Sequence, residues 1–275
     1  MRPRRPRSAP GHDLAMETSR ISAPAASLAR DLRTALRRAR DLGIRGVELD
    51  ARGGLDPAEV SRTGIRQIRK WLGDEGVEVA AVAFRTRGGY ADADRLEARI
   101  AATKKAFDLA HALGAGVVLN HVGEIPPEPE GPRWRLLLDV LADIGAWGHQ
   151  AGTTLCAEAG RAAPADLLRL VAALPAGALA CDLVTGALVV HGHDPAAAVA
   201  VLAGHIGMVH LTDAVAGAFA GRGRAVEFGT GHVDVPAVLA ALEERDERPW
   251  IGLEPVEDRT AAAELRAALD FLRAL

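Results

Sequence analysis

Ala151-Gly-Thr-Thr-Leu-Cys-Ala-Glu-Ala-Gly160 reads as a short buried strand that closes on a carboxylate, Glu158, where the chain turns. Three later segments repeat this design: Leu179-Ala-Cys-Asp182, Gly207-Met-Val-His210 and Trp250-Ile-Gly-Leu-Glu254. Each is a run of small or apolar residues, suited to a strand covered on both faces, and each closes on one metal-competent side chain. Glu158, Asp182, His210 and Glu254 therefore form a candidate cluster.

Upstream, the same grammar recurs. Leu28, Leu32, Leu36 and Ala39 fall at helical spacing with arginines on the other face, Gly43 stops the helix, and Ile44–Leu49 reads as a strand. A helix over 57–75 with Gly76 leads to a strand over 77–84, and a helix over 92–113 with Gly114 leads to one over 116–120. A helix over 133–150 with Gly152 leads to the strand ending on Glu158. Helices over 164–174, 195–203 and 235–244 precede the strands that end on Asp182, His210 and Glu254, and a helix over 261–272 follows. The first strand is placed near Leu14 to Ile21, where the sequence is poor in strand formers. About eight strand–helix units result, the number and size that close into a (β/α)8 TIM barrel. An open doubly wound sheet would carry a glycine-rich phosphate turn after its first strand. The nearest match, Gly229-Thr-Gly231, follows no good strand and reads as a barrel loop.

Of 275 residues, 49% are hydrophobic and 25% charged, which suits one large domain, expected over residues 21–275. Residues 1–20, rich in Arg and Pro, are expected to be a disordered basic tail. Met1-Arg-Pro-Arg-Arg-Pro-Arg7 lacks the apolar stretch that an export signal needs. A net charge of −3 gives no field favouring nucleic acid or an anionic membrane surface, and no run of about 18 apolar residues suggests a span. Cys156 and Cys181 sit in apolar strand readings, where buried reduced thiols and a cytoplasmic setting are expected.

In a parallel barrel the C-terminal strand ends meet at one rim, so the four candidate side chains converge although they are far apart in sequence. Two glutamates, an aspartate and a histidine form a mixed oxygen and nitrogen set suited to one divalent ion, Mn, Mg, Co or Zn. Taken singly, each reads more readily as a strand-end polar group tied to a loop; the signal lies in the set. Candidate substrate contacts are Asn120 and His121 at the end of strand four and Arg222 and Arg224 in the loop after His210, where an arginine can clamp a phosphate, carboxylate or hydroxyl pair. Glu48 is expected to pair with a buried cation. Trp71, Trp134 and Trp147 read as packing residues, and Tyr90 as a candidate cover for a sugar face.

Over about residues 27 to 274 the sequence resembles the sugar phosphate isomerase/epimerase family, the xylose isomerase-like superfamily that includes ketose 3-epimerases and AP endonucleases. The resemblance rests on Gly43-Ile-Arg-Gly-Val-Glu48, Leu119-Asn-His121 with Gly123, Ala157-Glu158, Cys181-Asp182, Val209-His-Leu-Thr-Asp213, Gly229-Thr-Gly-His-Val-Asp234 and Gly252-Leu-Glu254. It implies that Glu158, Asp182, His210 and Glu254 bind one divalent metal. Two departures stand out. Thr185 occupies the position where the family often has a substrate-contacting His, with His191 and His193 nearby in sequence. Gly223 and Ala225 stand where the three-zinc AP endonucleases have further ligands, and only His121 resembles one of those.

The expected activity is that of a metal-dependent isomerase or epimerase of a small sugar, keto-sugar or related polyol. Glu158 and Glu254 are its expected acid/base pair, working through α-proton abstraction and an enediolate. A lyase or dehydratase on an oxidised sugar or cyclitol, or a barrel that binds a metabolite without turnover, are the alternatives. No nucleic acid or membrane partner is expected, and a homo-oligomer fits the resemblance.

Overall fold

The structure, a computed structural model, describes residues 20–158, 161–257 and 260–275. The expected basic tail, apart from Arg20, lies outside the described residues, as does the expected first strand up to Ser19. The described strands are β1 (Ile21–Pro24), β2 (Gly46–Asp50), β3 (Glu78–Ala83), β4 (Val117–Asn120), β5 (Thr154–Glu158), β6 (Leu179–Val184), β7 (Ile206–Leu211), β8 (Asp213–Val215), β9 (Arg224–Val226) and β10 (Trp250–Leu253). Eight of them close into a parallel barrel in the order β1-β10-β7-β6-β5-β4-β3-β2, with β2 pairing back onto β1. The first strand thus begins at Ile21, where the sequence reading ends it. Ile-Ser-Ala-Pro has little strand propensity of its own; pairing with β2 on one side and β10 on the other holds it extended.

Among the described residues ten helices pack around the barrel or cap it: α1 (Ala25–Leu28), α2 (Leu32–Leu42), α3 (Arg62–Glu75), α4 (Leu96–Leu113), α5 (Pro132–Ala151), α6 (Pro164–Ala172), α7 (Thr185–Val190), α8 (Pro195–Val201), α9 (Val235–Glu243) and α10 (Ala261–Arg273). The stops are where the glycines predict them. Gly43 and Gly114, at φ 79° and 81°, end α2 and α4 in the left-handed conformation that spares a residue without Cβ. Two starts come later than expected, because aspartates divert the backbone into turns. Asp56 accepts from the Ala58 N–H at 2.8 Å and Asp92 from the Asp94 N–H at 3.0 Å, so α3 and α4 begin only at Arg62 and Leu96. Short helix α7 and the antiparallel ribbon β8–β9 were not visible in the periodicity.

Burial divides the apolar residues into two layers. The larger lies between sheet and helices. The smaller comprises Ala81, Ala83, Leu119, Cys156 and Met208, with Val117, Ala180 and Trp250 packed against it. These come from alternate positions of β3, β4, β5, β6, β7 and β10, so they fill the barrel interior. Cys156 and Cys181 are both free and buried, and burial pushes the Cys181 thiol up to about 12. Trp134 is buried and Trp71 packs half-buried against the outer layer. Trp147 departs from its packing role: it is 40% exposed, donates Nε1–H to Asp108 at 3.2 Å and lies under the Lys104 ammonium. Among the described residues no helix is long and apolar enough to cross a membrane.

Candidate active site at the barrel mouth

The interior layer decides which side chains enter the mouth. Side chains alternate along a strand, so the residue two positions beyond an inward one also points inward. Two positions beyond Cys156, Ala180, Met208 and Leu119 stand Glu158, Asp182, His210 and His121. The same step from Ala83 reaches Arg85, and two steps from Trp250, through Gly252, reach Glu254. Asn120 has the opposite parity.

One half of the mouth is closed and charged. His210 and Asp182 are fully buried, with Nδ1 of the ring 2.8 Å from both carboxylate oxygens. Its Nε2 lies 2.9 Å from Oε2 of Glu48, whose other oxygen accepts from the Ser22 hydroxyl at 3.1 Å. Glu48 and His210 reach each other across β1 and β10, which supply small residues there, Ser22 and Gly252. A Cβ on Gly252 would stand 2.7 Å from Cδ2 of His210 and 2.8 Å from Oε1 of Glu48. Only glycine leaves room for this bridge.

Burial opposes charge on the His210 ring, but the carboxylates of Asp182 and Glu48 outweigh it and hold the ring protonated well above the ordinary imidazole range. Burial also pushes Glu48 upward, yet His210 and then Arg85 more than reverse it. Asp182 ends above its usual range: burial raises it, His210 offsets only part, and the charges of Glu158 and Glu48 add to the rise.

The other half is open. Glu158, 13% exposed at its side chain, accepts from Arg85 Nε through Oε1 and faces His121 Nδ1 through Oε2 at 3.0 Å. Glu254 is exposed just past β10. The guanidinium of Arg85 is disfavoured by burial, but Glu158, Glu254 and Glu48 together raise its pKa further. Arg85 was missed in the sequence; the alternation Ala81-x-Ala83-x-Arg85 is the signal that points it inward.

Several expected substrate contacts do other work. Asn120 is fully buried: its Oδ1 accepts from the Thr86 N–H and hydroxyl, both at 2.9 Å, and its Nδ2 donates to the Tyr90 hydroxyl at 2.7 Å. Its outward parity turns it away from the mouth and toward the helix layer, so it braces the chain after β3. Tyr90, the candidate sugar cover, is likewise core, its hydroxyl also 2.7 Å from Thr103. Thr185, at the position where the family often has a His, accepts from the Thr212 N–H at 3.0 Å, tying α7 to the end of β7. His191 caps the C-terminus of α7 beside Gly221. Arg222 and Arg224 are exposed at the β8–β9 ribbon. The Gly229-Thr-Gly231 turn wraps a carboxylate of the protein's own: Asp213 accepts from the N–H groups of Ala214, Gly229, Gly231 and Val233.

The donors fit a divalent ion in chemistry and partly in placement. The 2.8 Å between Asp182 and His210 is close to the ~3 Å separating two donors that bind one ion at about a right angle, each near 2.1 Å. An Nε2–H donated to a buried carboxylate is the support that metal-ligating histidines usually have. Glu158, by contrast, is turned to Arg85 and His121. Among the described residues no three of these side chains are gathered as one donor set.

A closed parallel barrel with carboxylates and a histidine at its C-terminal mouth defines a recurrent class of α/β proteins, and within it the family can be specified. The model for the xylose isomerase-like TIM barrel matches residues 36–275, and the chain belongs to that family. No curated protein matches it in sequence. Among solved structures it is similar to a xylose isomerase domain protein from Planctomyces limnophilus, at TM-score 0.81 and 21% identity, covering 92% of this chain and 95% of that one. A D-psicose 3-epimerase from Clostridium cellulolyticum H10, solved with D-tagatose, superposes at TM-score 0.75 and 13% identity over 93% and 98%. A 3-keto-D-glucoside 4-epimerase from E. coli gives 0.75 and 16% over 93% and 99%. At these identities the likeness is one of fold.

Proposed function

We propose that this chain is an isomerase or epimerase of a small keto-sugar or related polyol, with one divalent ion held by Glu158, Asp182, His210 and Glu254. The observation that carries the proposal is the buried Asp182–His210–Glu48 arrangement, which presents two donors side by side with the support a ligating histidine needs. The epimerase names of two fold neighbours agree with it. When bound, such an ion supplies positive charge beside a carbonyl and its neighbouring hydroxyl, lowering the cost of an enediolate.

The chain's own residues supply the proton transfers. Glu158 is the base, since its carboxylate lies in the mouth and its present partners are the part-exposed Arg85 and His121 side chains rather than a buried network. Glu254 follows directly on β10, three strands round the ring from β5, and returns the proton. Return to the opposite face of the same carbon gives epimerisation; return to the neighbouring carbon gives isomerisation. His121 stands beside Glu158 to orient a substrate hydroxyl, and Arg222 and Arg224 reach the substrate from the ribbon.

The test has two stages. Protein purified without chelator should contain about one divalent ion per chain by elemental mass spectrometry, and an Asp182→Ala/His210→Ala variant should lose it. The loaded protein, given a panel of keto-sugars in D₂O, should then place deuterium on the carbon next to the carbonyl. A product lacking water would redirect the reading to a dehydratase, and saturable binding without exchange to a metabolite-binding barrel. Absence of metal even after adding Mn²⁺, Co²⁺, Mg²⁺ or Zn²⁺ would sink the proposal.

A further inference from the structure

Arg85 has no place in the proton transfers above, yet it occupies the middle of the carboxylates. Its Nε holds Oε1 of Glu158, and Glu254 and Glu48 lie near enough to add to its charge stabilisation. The backbone that carries it is fixed. Phe84 N–H donates to Leu119 O at 2.8 Å, Thr86 N–H to the buried Asn120 side chain at 2.9 Å, and the Arg85 carbonyl accepts from Arg52 Nη1 at 3.0 Å. The side chain, 37% exposed, is therefore the part free to change partners. It is a cation on a fixed stalk.

We propose that Arg85 is a built-in competitor for the divalent ion: its guanidinium takes the Glu158 carboxylate that the ion needs, and the ion binds only as Arg85 lets go. This rests on the metal-dependent reading. The physical basis is exclusion at one set of atoms. An ion held by the Glu158 carboxylate would leave Oε1 less able to accept from a guanidinium, Oε2 already faces His121, and two cations crowded on one carboxylate repel each other. Asp182 and His210 do not share this constraint, because no arginine reaches them among the described hydrogen bonds and ion pairs. The competition therefore acts on one ligand of the four. Its consequence is a lower ion affinity than the same four donors would have without Arg85.

Titration of metal-stripped protein with Mn²⁺ alone, followed by calorimetry, tests this. Arg85→Met removes the charge and keeps an unbranched side chain; it should bind Mn²⁺ at least tenfold more tightly than the unaltered chain. Arg85→Lys, which keeps a cation, should stay within a few-fold of it, and Arg85→Gln serves as a second neutral variant should Arg85→Met fail to fold. If the neutral variants bind no more tightly than the unaltered chain while that chain binds well, competition is wrong and the metal site stands. If none of the proteins binds Mn²⁺, both proposals fall together.

Discussion

The two halves of the barrel mouth each combine carboxylates with a histidine and behave as opposites. On one side Ser22, Glu48, Asp182 and His210 are at most 4% exposed, and their polar contacts are made to one another. On the other, Arg85, His121 and Glu158 have side chains 37%, 49% and 13% exposed, and Glu254 is exposed too. Where water is excluded a charge has no substitute partner, so the closed half is locked by the cost of separating its charges. Where water enters, a carboxylate can exchange one cation for another at little cost. The contrast suits a site with one prearranged side to hold and one adjustable side to react.

The strongest way to break this comparison is His210→Ala in the presence of chelator. It leaves two buried carboxylates facing each other without their cation, and chemical denaturation should show a loss of ~3–5 kcal/mol. A loss below ~1 kcal/mol, the range of an exposed pair, would mean the closed half is not locked. Gly252→Ala tests the same half sterically. The added methyl meets the His210 ring and Glu48, so we expect a loss of ~1–3 kcal/mol by overpacking, and weaker uptake of Mn²⁺.

In the open half the effects on stability and function should separate. Glu158→Gln should change unfolding by less than ~1 kcal/mol, because its partners are solvent-screened. Its turnover on an identified substrate should fall ~10²–10⁴-fold, as expected for loss of a general base. Full turnover in this variant would remove Glu158 from the chemistry. Arg222→Ala should be the mildest, within ~0.5 kcal/mol in stability, with its effect confined to a raised KM. An unchanged KM would show the ribbon arginine to be a bystander.

The barrel was legible because each strand is a short apolar run bounded by turn signals, and because glycine stops mark the helix ends. Four of the mouth residues were legible for the same reason, since each closes such a run. Arg85 was missed because it stands two residues beyond the end of β3, in a stretch that reads as loop; only alternation from Ala81 and Ala83 directs it inward. Asn120 was misassigned because proximity to a strand end was counted and parity was not.

The sequence by itself determined the order of the barrel strands and their helices, the carboxylates and the histidine that close four of the strands and, through period-two alternation, the face on which each would stand. These are local properties, carried by neighbours along the chain. Only the tertiary structure decided who pairs with whom. Closure of the barrel brings Glu48 to His210 across 162 residues of sequence, and Arg85 to Glu158 across 73. Once several carboxylates and cations share one mouth, burial and distance choose the partners, and neither quantity exists until the ring has closed.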